Sequence, residues 1–297
     1  MRKIFISRLS EIENKRAVRD AGLFQVSCTQ WKMLLGRLTG RLPENKTREQ
    51  LMQMKMSPHR GAFHRFLSDL APDEARRRLQ TFTSFLFVRH PLERLVSAFR
   101  DKFRASFQDR PFAVRTALEI AAHWQGRAPW QVAQQGRPQP VTFEQFARWV
   151  ADAPPLDPDE LYPPEANNEH WLPVDQLCHP CAVNYTFVGH FDTMREDAQL
   201  LFSMVNITSV SLPKRSSTSD TASATGQLLQ SLDSQTLRRV LKHYLRDFLL
   251  FGYRPETAAA AGSKTREAIQ TAFKELVDEA RSAARRQLMA ADSPRVS

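Results

Sequence analysis

The chain has 297 residues, 42% of them hydrophobic, which is enough to bury a large core. Its 42 lysine and arginine residues outnumber 32 acidic ones and give a formal net charge of +10. Such a surface attracts polyanions: nucleic acid, an anionic membrane, an acidic polysaccharide or a phosphorylated cofactor. No run approaches the roughly 20 apolar residues of a membrane span, and the sequence MRKIFISRL is too short for the apolar region of a signal peptide.

The first half of the chain predicts helices around one buried strand. Apolar residues at helical spacing predict a helix over 29–39, and Pro72 suits the first turn of a second one in APDEARRRLQTF. The short apolar run SFLFV predicts a buried strand, and Pro91 permits a helix to begin at once. Strand, tight turn and helix therefore follow one another.

The second half predicts another strand followed by a helix. A loop rich in Gln, Gly and Pro occupies 125–141, and Thr142 with Gln145 has the spacing of a capping box. The sequence YTFVGHF predicts a strand. The remaining predictions are a helix from about 192 to 204, a mobile loop over 213–227, one long amphipathic helix over 232–251 and a charged helix over 264–290.

Arg89 follows the predicted strand directly and is the first candidate for a ligand contact. Open α/β sheets bind ligands at the carboxyl ends of their strands, where the N–H groups of the next helix also face. A guanidinium grips two phosphate oxygens at once, and Ser97 adds a hydroxyl. The segment fits a phosphate; the alternative is that Arg89 pairs with a carboxylate and Ser97 merely faces inward.

The sequence FQVSCTQWK has a similar arrangement, with small hydroxyl-bearing residues where a helix begins. Ser27, Thr29 and the backbone amides fit a second phosphate or sulfate, which Lys32 would neutralise. The stretch lacks the glycines of a Walker loop, so an ordinary helix N-cap is the alternative.

The sequence LCHPC invites a comparison with zinc sites. Cys178, His179 and Cys181 supply at most three ligands from one short segment, and the chain has only 3 cysteines. We therefore predict no metal and a structural role for this segment. Asn45, Asn184 and Asn206 fit the glycosylation sequon, which matters only in a secretory compartment.

The whole segment FLFVRHPLERLVSAFRDKF resembles the 3′-phosphate-binding segment of the Golgi carbohydrate sulfotransferases, the chondroitin, dermatan and HNK-1 group of sulfotransferase family 2. NEHWLPVDQLCHPC, YTFVGHFDTMREDAQLLF and HYLRDFLLFGY follow in that family's order and, with it, cover most of residues 26–255. The resemblance implies an α/β, P-loop-kinase-like sulfotransferase fold with a central parallel sheet flanked by helices. We accordingly divide the chain into an atypical segment 1–25, a sulfotransferase domain 26–257 and a charged helical tail 258–297.

By this resemblance the sulfate donor is 3′-phosphoadenosine 5′-phosphosulfate (PAPS), without a metal. The segment from Arg89 to Ser97 would hold its 3′-phosphate, and VSCTQWK would be its 5′-phosphosulfate loop. The residues predicted to bind the donor are Val26, Ser27, Cys28, Thr29, Gln30, Trp31, Lys32, Arg89, His90, Pro91, Leu92, Glu93, Arg94, Leu95, Val96 and Ser97.

Two positions depart from the family pattern. Its 5′ loop usually reads Pro-Lys-Val, and the lysine stabilises charge on the leaving phosphate, whereas this chain has Phe24 and Gln25 there. Losing such a cation costs a few kcal/mol, on the order of a hundredfold in rate. Either Lys32 substitutes, or the enzyme is impaired, or residues 1–25 come from an incorrect or alternative start, the interpretation that we favour.

The resemblance also supplies catalytic candidates. His59 lies thirty residues before Arg89, where related enzymes have a histidine, and is the candidate base; a loop histidine without catalytic duty is the alternative. His170 is the second candidate, as a group that orients the acceptor.

The expected acceptor is the 4-hydroxyl of N-acetylgalactosamine in chondroitin or dermatan, a proteoglycan glycan. Terminal N-acetylgalactosamine on a glycoprotein and the glucuronic acid of the HNK-1 epitope compete with it. The expected location is the Golgi lumen, as a type II membrane protein whose anchor is absent from this chain. A catalytically weak relative that only binds glycosaminoglycan or donor is the main rival. No recognised nucleic-acid motif occurs, so no nucleic-acid partner is predicted.

Overall fold

A computed structural model of the chain describes residues 28–38, 40, 42–43, 46, 48–54, 70–103, 109–154, 165–207, 212, 219–258 and 261–291. These residues form a helix-rich α/β structure with a parallel pair of strands, which confirms the predicted fold class. They divide into two compact units. The first contains the described residues up to Arg89 and those from Val174 to 212, and the second contains those from His90 to Pro173 and from 219 onward. The predicted boundaries after residues 25 and 257 stay a prediction.

The helices and strands of the described residues lie close to the predicted ones. In chain order they are α1 (Cys28–Leu38), α2 (Arg48–Gln53), α3 (Pro72–Thr81), β1 (Phe85–Val88), α4 (Pro91–Lys102), α5 (Pro111–Gln125), α6 (Pro129–Ala133), α7 (Phe143–Ala151), α8 (Val174–Cys178), β2 (Phe187–His190), α9 (Met194–Met204), α10 (Ser219–Gln230), α11 (Ser234–His243), α12 (Leu245–Phe251) and α13 (Ser263–Ala291). Short 3₁₀ turns occur at Glu165–Asn167 and Pro255–Thr257. None of the described helices combines the length and the apolar character that a bilayer span requires.

The parallel pair is the centre of the first unit. Phe85 of β1 is in register with Phe187 of β2, and Val88 with His190. Every residue of β1 is buried, as the apolar run predicted. Just before the strands, the Ser84 hydroxyl accepts from the Thr186 N–H at 3.1 Å. This contact fixes the register from its first residue pair.

Aromatic packing holds α1 against this pair. Trp31 is fully buried, and its ring centroid lies 4.8 Å from that of Phe87 and 5.4 Å from that of Phe85. Phe202 of α9 contacts the same indole at 5.9 Å. Aromatic pairs at these separations add stabilisation beyond the area that they bury. One tryptophan thus ties two helices to the strand that leads to Arg89.

The second unit is a helical core around α4, α7, α11 and α13. Phe146, Trp171 and Phe248 lie in its largest cluster of buried side chains. The predicted capping box of α7 is confirmed, because the Gln145 N–H donates to the Thr142 hydroxyl at 3.2 Å and the Thr142 N–H donates to the Gln145 side chain at 3.0 Å. Both end groups of the helix are thereby satisfied.

The C-terminal helix α13 belongs to this core. Ile269 and Leu276 are 0% and 3% exposed, and Arg238 of α11 contacts Glu275 at 3.5 Å and also Glu279. The helix predicted over 264–290 is therefore charged on its exposed side and packs into the core through apolar side chains.

Three stretches differ from the predictions. The stretch predicted as a mobile loop is helical from Ser219, since α10 begins there. The predicted single helix over 232–251 is interrupted at Tyr244 between α11 and α12, and the predicted loop over 125–141 contains α6. Tyr244, at the break between α11 and α12, is 1% exposed, and Thr225 of α10 is 0% exposed. Tertiary burial therefore decides the local structure at these two places against the sequence pattern.

Gly189 of β2 gives a test of the aromatic packing. A Cβ atom there would lie 2.4 Å from the Phe87 ring, which is fully buried between Trp31 and Phe187. We expect Gly189→Ala to lower the free energy of unfolding by about 1–3 kcal/mol, which exceeds the gain of about 0.4–1 kcal/mol from a stiffer unfolded chain. Urea denaturation measures this. In a Phe87→Leu background the cost should shrink, and an equal cost in both backgrounds would contradict the clash.

Candidate active site

Arg89 lies just beyond the carboxyl end of β1. The residue is 8% exposed, and its guanidinium carbon lies 4.5 Å from the ring centroid of Phe191. Phe191 follows β2 as Arg89 follows β1, and the two strands are parallel and in register. A cation–π contact of this kind orients the guanidinium. The position is the one at which α/β sheets bind anionic ligands.

The end of β2 is fixed by a carboxylate. Asp197 of α9 accepts from the His190 N–H at 2.6 Å and from the Thr193 hydroxyl at 2.8 Å. These bonds hold the turn that carries Phe191. The ring against which Arg89 packs is therefore set by α9 rather than by the strand alone.

The predicted 5′-phosphosulfate loop is described in part. Val26 and Ser27 lie outside the described residues, and α1 begins at Cys28. Gln30 and Lys32 are half-buried, and Trp31 is a core residue. Trp31 thus fixes the position of the helix start, and the side chain in this stretch that brings a charge is Lys32.

The second unit receives the chain at His90. The His90 side chain is 3% exposed, its Nε2 lies 3.1 Å from the Arg254 carbonyl oxygen, and its ring packs edge-on against Phe248 and Tyr253. The Arg94 N–H donates to the His90 carbonyl at 2.9 Å and makes the first backbone hydrogen bond of α4. The N–H groups before it point toward the N-terminal end of the helix, where anions are favoured.

The remaining residues of the predicted 3′-phosphate segment divide by exposure. Leu92, Leu95 and Val96 are fully buried core residues, and Glu93 and Ser97 are half-buried. The apolar members can contribute only backbone groups to a ligand. The resemblance assigned the segment as a whole and did not separate these two sets.

Arg94 has a structural task in the second unit. The residue is 5% exposed, and its guanidinium donates to the Leu172 carbonyl at 2.8 Å and to the Glu169 carbonyl at 3.0 Å. The Tyr244 hydroxyl donates to the Trp171 carbonyl, and the Trp171 indole N–H donates to the Ala166 carbonyl at 3.0 Å. The turn around His170 is thus bonded to helix α4, to the start of α12 and to a 3₁₀ turn.

His170 lies at the open side of this turn. Its side chain is exposed on one side, and protein atoms on the other side desolvate the ring and lower its pKa to about 4, with the cation of Lys102 acting in the same direction. Its backbone N–H donates to the Asn168 side chain at 3.1 Å. The ring is neutral at pH 7 and is a weak base there. An orienting role through hydrogen bonds suits it better than proton abstraction.

Other residues near this turn had no signal in the sequence. Glu165 accepts from Asn168 at 3.2 Å and also pairs with Arg115. Burial, with the nearby Glu165 carboxylate, raises the pKa of Glu119 to about 7. Only the fold brings Glu119 of α5 and the 3₁₀ turn together, so no local pattern could have indicated them.

Two further predictions have limited structural information. His59 lies outside the described residues. In LCHPC, Cys178 is buried and Cys181 is exposed. Across the described part of the chain, no three His, Cys, Asp or Glu side chains are grouped so that they could hold a metal ion.

Residues 22–254 match the Sulfotransferase family, and the chain belongs to this family. The predicted family is thereby confirmed, and both parallel strands and the whole 89–97 segment lie inside the match.

Three curated relatives show the range of similarity. Carbohydrate sulfotransferase 14 of Homo sapiens is 37% identical over 232 residues, which is 77% of this chain and 56% of the relative. Carbohydrate sulfotransferase 11 of Mus musculus is 31% identical over 77% of this chain and 62% of its own. Carbohydrate sulfotransferase 8 of Homo sapiens is 29% identical over 82% of this chain and 54% of its own. The matched part thus spans somewhat more than half the length of these relatives, and no solved structure matches.

Substitution of Arg94 tests the support of the His170 turn. Arg94→Ala leaves two carbonyls without their donor, and hydrogen bonds to charged groups contribute about 1.5–3 kcal/mol each. We expect the free energy of unfolding to fall by at least about 2 kcal/mol in urea denaturation. Arg94→Lys keeps the charge but not the planar guanidinium, so its free energy of unfolding should lie between those of the wild type and Arg94→Ala. Wild-type stability in both variants would contradict this role.

The titration of His170 tests its electrostatic environment. We expect NMR to give an imidazole pKa below the ordinary 6.5, and Lys102→Met to raise it by removing a nearby cation. Because the folded-state pKa is the lower one, the neutral ring contributes stability above pH 6.5 that is lost as the pH falls toward about 4. An unchanged pKa in Lys102→Met would show that Lys102 does not act on the ring.

Proposed function

We propose that this chain transfers a sulfuryl group from PAPS to a hydroxyl of a glycan. The observation that carries the proposal is Arg89, a buried cation at the carboxyl end of a parallel strand, from which the chain runs directly into a helix that begins at Pro91. Family membership supports a sulfotransferase, and the similarity to carbohydrate sulfotransferases supports a carbohydrate acceptor.

The donor-binding residues of the proposal are those of two segments. Residues 89–97 would hold the 3′-phosphate, with Arg89 and Ser97 as the main side-chain contacts. Residues 26–32 would hold the 5′-phosphosulfate, with Lys32 as the cation. The described groups fit an anion, since a guanidinium and the starts of two helices lie in these segments. The bound donor supplies an activated sulfuryl group.

Sulfuryl transfer further needs a base and an oriented acceptor. His59 would accept the proton of the attacking hydroxyl. His170, neutral at pH 7 and held by the turn at 168–172, would hydrogen-bond the acceptor sugar. Direct transfer to a hydroxyl requires in-line placement and no covalent intermediate on the protein.

The finer identity of the acceptor is part of the proposal. We favour the 4-hydroxyl of N-acetylgalactosamine in chondroitin or dermatan, because NEHW and LCHPC resemble that group of the family most closely. The net charge of +10 suits such an anionic polymer. By the same resemblance we place the protein in the Golgi lumen, with the sequons available there.

A second candidate function rests on Gln25. In this alternative, the chain binds the donor or a glycosaminoglycan without turnover, because glutamine replaces the lysine that the family uses against charge on the leaving phosphate.

A transfer assay tests the proposal. Labelled sulfate is followed from PAPS to desulfated chondroitin, to dermatan and to a glycan that ends in N-acetylgalactosamine. We expect transfer to chondroitin or dermatan, and we expect Arg89→Ala to weaken nucleotide binding by at least about 2 kcal/mol, because a charged phosphate loses its partner. Unchanged nucleotide affinity would remove Arg89 from the site.

Variants of the same chain separate the alternatives. His59→Ala should bind the nucleotide normally and lose most turnover, and wild-type rates in that variant would exclude it as the base. A folded chain that binds the nucleotide but transfers nothing supports the impaired alternative. In that case Gln25→Lys should raise the rate with little change in glycan affinity.

A further inference from the structure

A cavity of about 330 Å³ lies in the second unit among α5, α6, α7 and the segment that joins α6 to α7. Its volume falls at the lower end of the roughly 300–1,000 Å³ that is typical of small-ligand pockets. None of the residues to which we assign donor binding or catalysis lines it. The cavity is thus separate in its lining from the proposed site.

The lining of this cavity is more apolar than polar, and its polar side chains include no acid. It contains four glutamines and one arginine, Arg137, and no aspartate or glutamate. Arg137 is exposed and has no carboxylate within ion-pair distance among the described residues. Glutamine amides both donate and accept hydrogen bonds, whereas a guanidinium only donates. The lining therefore favours a ligand with hydroxyls and a negative charge.

Trp124 supplies an aromatic surface in the same lining. Its side chain is 38% exposed, and its indole N–H donates to the Gln145 carbonyl at 3.2 Å. The guanidinium carbon of Arg148 lies 4.9 Å from its ring centroid. The ring is thus held at both its polar atom and its π system, so a ligand that packs on it need not first order it.

The segment around the cavity has a defined backbone. Gly126 and Gly136 adopt φ values of +61° and +108°, which residues with a Cβ rarely adopt. The Ala128 N–H donates to the Gln131 side chain at 2.9 Å, and the Gly136 N–H donates to the Ala133 carbonyl at 3.2 Å. The backbone of this segment is thus held by hydrogen bonds within the segment itself.

We propose that this cavity binds a uronic acid unit of the glycan acceptor, at a subsite that holds the chain during transfer. The C–H face of a pyranose would pack on Trp124, the glutamine amides would bond its hydroxyls, and Arg137 would bind its carboxylate. The identity of the glycan rests on the proposed function. The class of ligand, a sugar with a negative charge, is inferred from the lining of the cavity alone.

Oligosaccharide binding tests the subsite directly. Titration calorimetry with a desulfated chondroitin hexasaccharide should show at least a tenfold weaker affinity for Trp124→Ala and for Arg137→Ala. Trp130→Ala is the matched control, because Trp130 is 63% exposed on α6 yet does not line the cavity. A neutral N-acetylglucosamine hexamer should bind weakly and be insensitive to Arg137→Ala. Thermal unfolding confirms that each variant folds. If Trp124→Ala does not fold, Arg137→Ala still tests the subsite, because Arg137 is exposed and its replacement leaves the core unchanged.

The outcomes separate this inference from the proposed function. Loss of hexasaccharide affinity in the cavity variants but not in Trp130→Ala supports the subsite, even where no sulfate is transferred. Unchanged affinity in both cavity variants overturns it, even where the chain proves to be an active sulfotransferase. An equal loss in Trp130→Ala also overturns it, since general surface aromatics would then explain the binding.

Discussion

The buried guanidinium of Arg94 is the interaction on which the turn that carries His170 depends. A charged group with 5% exposure is costly unless it is bonded, and here the carbonyls of Glu169 and Leu172 accept from its two terminal nitrogens. If the turn that carries His170 moved away from α4, the Arg94 guanidinium would lose these two hydrogen bonds while still buried. Because the Tyr244 hydroxyl also bonds this turn, α4 and α12 hold it from both sides. The position of His170 is thus a property of the core rather than of its own loop.

In the first unit, aromatic rings fix the position of the helix start. Trp31 packs on Phe85 and Phe87, so the start of α1 is set by the strand that precedes Arg89. Gly189 has no Cβ because the Phe87 ring occupies that space. Residues that never touch a ligand therefore decide where the charged groups lie.

The sequence predicted the elements whose signals are local. Both strands, the capping box at Thr142 and the helix start at Pro91 depend on neighbours within a few residues, and all are confirmed. It missed the helix at Ser219, because serine and threonine are typical of loops unless burial of residues such as Thr225 favours the helix. Arg94 was predicted as part of the phosphate segment, but its carbonyl partners lie 75 and 78 residues away. Partners at that distance are known only from the fold.

The positions of the cations in the fold show how the net charge of the chain should be interpreted. Arg238 pairs with Glu275, Arg239 with Asp152 and Arg115 with Glu165, so these cations help to hold helices together, while the net charge of +10 is unchanged by such pairs. Paired surface charges contribute little attraction for a distant polyanion. What matters is where a cation faces a lining without acid, as Arg137 does. Where an anionic ligand binds in the described part of the chain therefore depends on the local surroundings of a cation, and the net charge alone does not indicate the place.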